Sequence, residues 1–213
     1  MTRIIRILLL ATLLAVALVA GFRPAYAACG GTTVVNTTAE LNAAIDAFNS
    51  ATGPCDFTIQ LAGTIDLDDD VTQVYNATAG TSLTIDGQQN FSLNGGASHA
   101  LLTIYDTNVT LQDLTLVGAS GNALTFGASS SYAVGTLRNV VIINSAGVGL
   151  LVLGSEVTAE RLTVAGHSGG GANISGGSTV DLSGAAFHHN TGFGLVVDDS
   201  SLMLTTSKIC GNC

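Results

Sequence analysis

The sequence predicts an all-β fold, a right-handed parallel β-helix solenoid of about six coils with an amphipathic helix capping its N-terminal end. Three observations predict it. A pattern of apolar residues recurs every 22 to 26 residues, and within each copy apolar positions alternate with polar ones. Glycine is abundant and proline rare, with 26 and 2 residues. Alternation with a period of two is typical of a strand that buries one face.

The repeat has the form h-x-h-x-x-h-x-h, where h is an apolar residue. Clear copies lie over 109–116, 157–164, 180–187 and 202–209, and a looser copy lies over 137–142. The gap in the middle predicts a bend between two strands. A third short strand is expected after each turn, at residues 102–104, 124–126, 150–152, 172–174 and 195–197. Left-handed solenoids of hexapeptides have about 18 residues per coil, so the longer step favours the right-handed form.

Polar turn residues follow the last inward position of successive coils: Asn144, His167, Asn190 and Asn212. Asparagine tolerates left-handed turns and can hydrogen-bond along a stack of identical turns. We therefore expect these four residues to form a ladder along one edge of the solenoid.

The chain divides into three parts. Residues 1–27 resemble a secretory signal, with a basic start, an apolar run and Ala25-Tyr26-Ala27 as the cleavage site. Residues 28–56 form the cap, with a helix over about 38–49 that begins at the capping box Thr37-Thr38-Ala39-Glu40. Residues 57–213 form the coils, and we expect them to be incomplete at the C-terminus or to associate with a partner there, because an uncapped coil exposes its core.

Charge and composition argue against several classes of function. Three of the six basic residues lie in the first 27, which leaves three basic residues against fifteen acidic ones, a formal charge of −12 after residue 27. Such a surface repels nucleic acid and anionic lipid. No stretch after residue 27 is apolar for long enough to predict a membrane span. We expect a secreted or cell-surface protein.

Four cysteines, Cys29, Cys55, Cys210 and Cys213, allow three pairings in an oxidising compartment. The local pairs Cys29–Cys55 and Cys210–Cys213 fit the spacing best. A redox or zinc role for the CxxC at the C-terminus lacks the helix or the further ligands that it needs.

The repeat resembles known β-helix families. Gly170-Gly171-Ala172, followed by Phe187-His188-His189-Asn190, is similar to the GGA and FxxN repeats of polymorphic outer-membrane proteins. The segments 41–45 and 82–87 are similar to the start of pectate-lyase-like right-handed β-helix surface proteins. The resemblance implies the fold, but lyases, hydrolases, adhesins and passenger domains all share it.

Stacking the coils brings Arg138, Arg161, Glu160 and Asp113 to one outer edge. These are the weak candidates for a polysaccharide-lyase site, in which an arginine removes a proton beside a carboxylate-bound calcium. The alternative is an exposed ladder of ion pairs with little energetic value.

Other polar clusters suggest metals or acid catalysis. Asp66, Asp68, Asp70 and Asp86 supply oxygen ligands that suit calcium as a cofactor, and an acidic turn without an ion is the alternative. His167, His188 and His189 converge at one turn and suggest a transition-metal site or solvated turn residues. Asp198 and Asp199 form a carboxylate pair of the kind that glycosidases use.

The sequence favours a non-enzymatic protein with a structural, adhesive or ligand-presenting role. Aromatic residues that stack on sugars are few, because the chain has no tryptophan and only Tyr75, Tyr105 and Tyr132 after residue 27. The alternative is a carbohydrate-active enzyme, a pectate-lyase-like lyase or a glycoside hydrolase. The expected partners are a polysaccharide or a surface partner, including association through the open C-terminal coil.

Overall fold

The computed structural model describes residues 30–88, 90–128 and 130–213. They form one helix, α1, at Thr38–Asn49, and eighteen strands, β1 to β18 in chain order. The strands lie at Gly31–Val35, Asp56–Leu61, Ile65–Asp66, Val74–Tyr75, Ser82–Asp86, Ser92–Asn94, Leu102–Tyr105, Asn108–Val117, Leu124–Phe126, Val134–Ile143, Val148–Leu153, Glu156–Ala165, Gly170–Ser175, Thr179–Ser183, Ala186–His188, Leu195–Val197, Ser201–Thr205 and Lys208–Cys210. In this part of the chain no helix is long and apolar enough to cross a membrane.

The strands stack into two parallel sheets. The long sheet has twelve strands, and eight of them follow one another in the order β1-β2-β5-β8-β10-β12-β14-β17. The short sheet has six strands in the order β16-β13-β11-β9-β7-β4. Eight stacked strands mean about eight coils, more than the sequence predicted. The difference lies at the N-terminus, where β1 and β2 form coils whose repeat is interrupted by α1.

The register of the coils confirms the predicted repeat. Leu116 pairs with Ile142, Ile142 with Val164, Val164 with Phe187, and Phe187 with Ile209. The predicted bend is one residue with a positive φ in each coil, within a single long strand at Asp113, Asn139 and Arg161 and between two strands at Gly184 and Thr206. A single left-handed residue turns the chain and lets strands on both sides keep their inward faces.

Helix α1 covers the first coils. Its apolar stripe of Leu41, Ile45 and Phe48 is buried in the core. The Thr37 side chain accepts a hydrogen bond from the Glu40 N–H at 3.2 Å, as the predicted capping box requires. The Glu40 carboxylate accepts from the Asn36 N–H at 2.9 Å, one residue before the N–H that the motif predicts.

The turn ladder exists, but one of its four predicted members is wrong. Asn144 is the exposed positive-φ residue of its turn, and the residue in register with His167 is Ser145. Each ladder side chain accepts the N–H of its equivalent one coil before: Ser145 N–H donates to His167 Nδ1 at 3.1 Å, and His167 N–H to Asn190 Oδ1 at 3.0 Å. Asn190 N–H donates to Asn212 Oδ1 at 3.1 Å. The sequence misplaced this coil because both Asn144 and Ser145 are plausible turn residues.

The ladder side chains also donate to a carbonyl of the preceding coil. His167 Nε2 lies 3.0 Å from the Ile142 carbonyl oxygen, Asn190 Nδ2 lies 3.1 Å from that of Val164, and Asn212 Nδ2 lies 3.1 Å from that of Phe187. Each side chain therefore satisfies one donor and one acceptor of buried backbone, which is the physical role of the asparagine in the FxxN motif.

A column of glycines makes room for the ladder. A Cβ on Gly149 would lie 2.6 Å from the His167 ring, and a Cβ on Gly171 would lie 2.8 Å from Asn190 Nδ2. Real Cβ atoms essentially never come as close as this. The glycine of the GGA motif and the asparagine of the FxxN motif are thus two halves of one contact.

The cysteine predictions have different outcomes. Cys55 is buried, and its predicted partner Cys29 lies outside the described residues, as does the predicted signal over 1–27. That pair stays a prediction. Cys210 and Cys213 are exposed free thiols, so the predicted pair Cys210–Cys213 is not formed in the structure.

The last coil leaves apolar side chains in contact with solvent. Leu204 and Ile209 continue columns that are buried in earlier coils, yet they are 41% and 45% exposed. The predicted association through this coil remains a prediction.

Candidate binding cleft

The predicted arginine cluster lies together on the outer edge. Arg138 and Glu160 are in register, Asn139 and Arg161 follow them in the bend, and Asp113 holds the equivalent position one coil before Asn139. Arg161 Nη1 lies 2.7 Å from Glu160 Oε1, with both side chains more than half exposed. The Asp113 carboxylate accepts from Asn139 Nδ2 at 2.7 Å. This is the exposed ladder of pairs, whose contribution to stability is small.

The predicted calcium ligands are dispersed rather than convergent. Asp66 Oδ1 accepts from Asn94 Nδ2 at 2.8 Å, and Asp70 Oδ1 accepts from the Ala100 N–H at 2.7 Å. Asp86 accepts from the Gln88 N–H at 2.7 Å and from Gln112 Nε2 at 3.0 Å. Across residues 30–88, 90–128 and 130–213, no group of three acidic, histidine or cysteine residues is arranged to hold a metal. Asp68 therefore belongs to no such group either.

The three histidines do not converge. His167 is fully buried and its ring belongs to the ladder. His188 and His189 lie outside the core, with their Nδ1 atoms 2.8 Å apart. Burial lowers the pKa of His167 below its usual 6.5, and the Ile142 carbonyl opposes this shift only in part. Because Nδ1 accepts the Ser145 N–H, the ring is neutral and carries its proton on Nε2.

The carboxylate pair of Asp198 and Asp199 follows a strand of the short sheet. Their backbone takes part in the stacking, since Asp198 N–H donates to the Ile174 carbonyl at 2.9 Å and the Asp199 carbonyl accepts from Gly177 at 2.8 Å. Asp199 has a φ of 45°. The pair marks a turn of the solenoid.

A cleft of about 300 Å³ lies elsewhere, where the chain turns from the short sheet to the long sheet. Its residues belong to three successive coils and leave it open to solvent. We call it the tyrosine cleft, and it is lined by Asn76, Ala77, Thr78, Ala79, Gly80, Thr81, Asp106, Thr107, Asn108 and Tyr132.

Tyr132 forms one wall of the tyrosine cleft. Its N–H donates to Asp106 Oδ1 at 3.3 Å, and its hydroxyl donates to Glu156 Oε2 at 3.0 Å. Tyr132 thus bonds to the coil before it through its backbone N–H and to the coil after it through its hydroxyl, while the residue remains 52% exposed. Desolvation raises the pKa of Tyr132, and the hydrogen bond to Glu156 and its negative charge raise it further.

The floor of the cleft results from a break in a second ladder. Ala133 N–H donates to Ser155 Oγ at 3.0 Å, Ser155 N–H to Ser178 Oγ, and Ser178 N–H to Ser200 Oγ at 3.0 Å. Two coils before Ser155, Thr107 holds the equivalent place, and Thr81 lies one coil before Thr107.

Thr107 cannot continue that ladder. The Thr81 N–H, which its hydroxyl would accept, donates instead to the Thr78 carbonyl at 3.1 Å. Thr107 is 7% exposed, and its Oγ1 has no hydrogen-bond partner within the described residues. The turn over 76–81 therefore opens the cleft and leaves this buried hydroxyl unsatisfied, which is unusual in a folded protein.

Two more tyrosines stand beside the cleft. Tyr75 and Tyr105 are in register in the short sheet, and each directly precedes a residue that lines the cleft. Their rings are stacked, with centroids 5.5 Å apart and planes within 5°. Tyr105 Oη donates to Gln73 Oε1 at 3.1 Å. All three tyrosines after residue 27 thus lie around one turn of the solenoid.

The fold agrees with a known family. A family model described as a right handed beta helix region matches residues 99–213. This chain belongs to the right-handed β-helix family. No curated protein matches the sequence.

Sequence reasoning missed the cleft in this β-helix. The three tyrosines after residue 27 are few and far apart along the chain, so their meeting at one turn is not evident from composition. A signal was present, because Tyr75-Asn76 and Tyr105-Asp106 repeat the order tyrosine then Asn or Asp one coil apart. The opening itself depends on the backbone bond of Thr81 to Thr78, which residue patterns do not show.

Proposed function

We propose that this β-helix is a secreted or cell-surface protein with an adhesive, ligand-presenting role, and that it binds its ligand in the tyrosine cleft. The observation that supports this is the unsatisfied Thr107 hydroxyl on the floor of an open recess with an exposed tyrosine for a wall. Recesses with a few polar groups and aromatic walls are typical of ligand sites. The export of the protein is supported by the signal-like residues 1–27.

The geometry favours binding over catalysis. The candidate arginine Arg161 is paired with Glu160 in solvent, and a lyase needs an arginine free to take a proton beside the substrate. Neither residue lines the tyrosine cleft. Within the cleft, the Tyr132 hydroxyl donates to Glu156, and its raised pKa makes it less ready to give up its proton than a free tyrosine.

The test is a binding screen combined with an activity assay. The purified protein is applied to an array of glycans and surface polymers, and Tyr132→Ala serves as the cleft variant. Binding that Tyr132→Ala abolishes supports the proposal.

The activity assay follows unsaturated products on polygalacturonate, with and without calcium. Turnover that is lost in Arg161→Ala or Arg138→Ala would instead establish the lyase. The absence of binding to any member of the array would also contradict the proposal.

A further inference from the structure

We infer that the tyrosine cleft takes a neutral, hydroxyl-rich ligand, namely a hexose unit of an uncharged polysaccharide. The inference rests on the proposed function and names the ligand class of that site. Three features of the cleft support it: its unpaired hydrogen-bonding groups, its charge and the aromatic surface beside it.

Some polar groups of the cleft have hydrogen-bond partners among the described residues, and others have none. Asn76 is used, since its Nδ2 donates to the carbonyls of Phe48 and Ala51 and its Oδ1 accepts the Thr78 N–H. The Thr107 hydroxyl is unused. Its Oγ1 is buried in the structure, so a bond to a ligand requires rotation about χ1, which exchanges Oγ1 with the methyl group.

The Asp106 carboxylate has acceptor capacity left. Its Oδ1 accepts the Tyr132 N–H over a distance as long as 3.3 Å. An ionised carboxylate has about four acceptor sites, so most of them are available to a ligand. A sugar hydroxyl both donates and accepts, and it suits the carboxylate of Asp106 as well as the hydroxyl of Thr107.

The charge of the cleft disfavours acidic sugars. Asp106 lines it, Glu156 holds the hydroxyl of its tyrosine wall, and no lysine or arginine is among the residues that line it. The whole chain carries a formal charge of −9. The negative charge of a uronate would be repelled by these carboxylates, whereas a neutral hexose carries no charge to repel.

The stacked pair of Tyr75 and Tyr105 provides a second platform. One coil beyond Tyr105 the register places Gly127, which has no side chain to cover the tyrosine on that side. A hexose has an apolar face that packs on an aromatic ring. The structure therefore offers contacts for two neighbouring sugar units, one in the cleft and one at the pair.

The experiment measures binding of neutral hexaoses of glucose, mannose and galactose by titration calorimetry, with hexagalacturonate, with and without calcium, as the acidic probe. We expect one or more neutral hexaoses to bind in the millimolar range or tighter and the uronate not to bind without calcium. Tyr132→Ala is expected to weaken binding about tenfold or more. Tyr132→Phe, which keeps the ring and loses only the bond to Glu156, is expected to retain it.

Thr107→Val is the sharpest variant. It removes a buried hydroxyl that has no partner, so the folded protein should be at least as stable as wild type. We expect the affinity for the neutral hexaose to fall about fivefold, the value of one hydrogen bond. Thr163→Val, at a half-buried position of β12 outside the cleft, is the matched control and should leave affinity unchanged.

The outcomes separate the two proposals. If no neutral hexaose binds, or if the uronate binds more tightly without calcium, the ligand class is wrong. The proposed function still stands in that case if another member of the array binds and Tyr132→Ala abolishes that binding. Neutral sugar binding that neither Tyr132→Ala nor Thr107→Val changes would overturn the cleft as the site.

Discussion

Removal of Asn190 from the turn ladder should destabilise the last coils strongly. Asn190 is 1% exposed and links three coils. Its Oδ1 accepts the His167 N–H at 3.0 Å, and its Nδ2 donates to the Val164 carbonyl at 3.1 Å and to Asn212 Oδ1 at 3.0 Å. In Asn190→Ala the His167 N–H and the Val164 carbonyl stay buried and lose these hydrogen bonds. Each such group costs about 1–3 kcal/mol, so we expect a loss of about 2–6 kcal/mol in the free energy of unfolding.

A matched substitution distinguishes the hydrogen bonds from the volume of the side chain. His167 makes the same two backbone bonds in the preceding coil, with a glycine beside it as Gly171 lies beside Asn190. Asn190→His should therefore lose less than half as much stability as Asn190→Ala. Asn173→Ala, at a half-buried position of β13, is the control, and we expect a change within about 0.5 kcal/mol.

The assay is urea unfolding followed by circular dichroism, with hydrogen exchange of the His167 amide as a local probe. The amide should exchange faster in Asn190→Ala, because the bond that protects it is gone, and should remain protected in Asn190→His. The reasoning is refuted if Asn190→Ala is no less stable than Asn173→Ala, or if Asn190→His is as unstable as Asn190→Ala.

Three further predictions concern named groups. Burial lowers the pKa of His167, so the unfolded chain binds the proton more readily than the folded chain. The free energy of unfolding should therefore be unaffected by protonation of His167 above pH 6.5 and should decline as the pH falls toward the lowered pKa. Unfolding curves of His167→Asn should lack this decline. Gly171→Ala should destabilise the fold by about 1–3 kcal/mol in thermal unfolding, since its methyl group would overlap the Gly194 carbonyl oxygen and the Asn190 side chain; Gly121→Ala, where space is open, is the control, and an equal loss there would contradict the overlap as the cause. Spectrophotometric titration should find Tyr132 ionising above its ordinary pKa of 10.0, and Glu156→Gln should bring it closer to that value; an unchanged titration would contradict the role of Glu156.

Much of the architecture could be read from residue patterns. The helix at Thr38–Asn49 was predicted over the same residues, because a capping box and an apolar stripe are local signals. The register of the coils from Val109 to Ile209 also agrees, since period-2 alternation shows which residues face inward. The number of coils was predicted too low, because the helix interrupts the repeat after β1.

The candidate sites were predicted less well. The sequence placed Arg138, Glu160 and Arg161 side by side, as the structure does, but it could not show that Arg161 is held by Glu160 in solvent. The calcium and three-histidine hypotheses brought together residues from the turns of adjacent coils. In the solenoid, the residue in register with His167 is Asn190, which is buried, whereas the neighbouring His189 is exposed, so a shift of one residue moves a side chain from the buried column to the outer one.

A capped parallel solenoid with a step of 22 to 26 residues follows from the order of residues alone, since that order shows the inward apolar positions and the turn glycines. The turn residues that form the ladder, and the place where a recess opens, become visible only in the folded solenoid. Both depend on hydrogen bonds between coils. A shift of one residue moves Ser145 rather than Asn144 into the ladder, and one backbone bond from Thr81 to Thr78 leaves Thr107 unpaired. Partners some 22 to 26 residues apart meet only after the coils stack, so no local pattern specifies them.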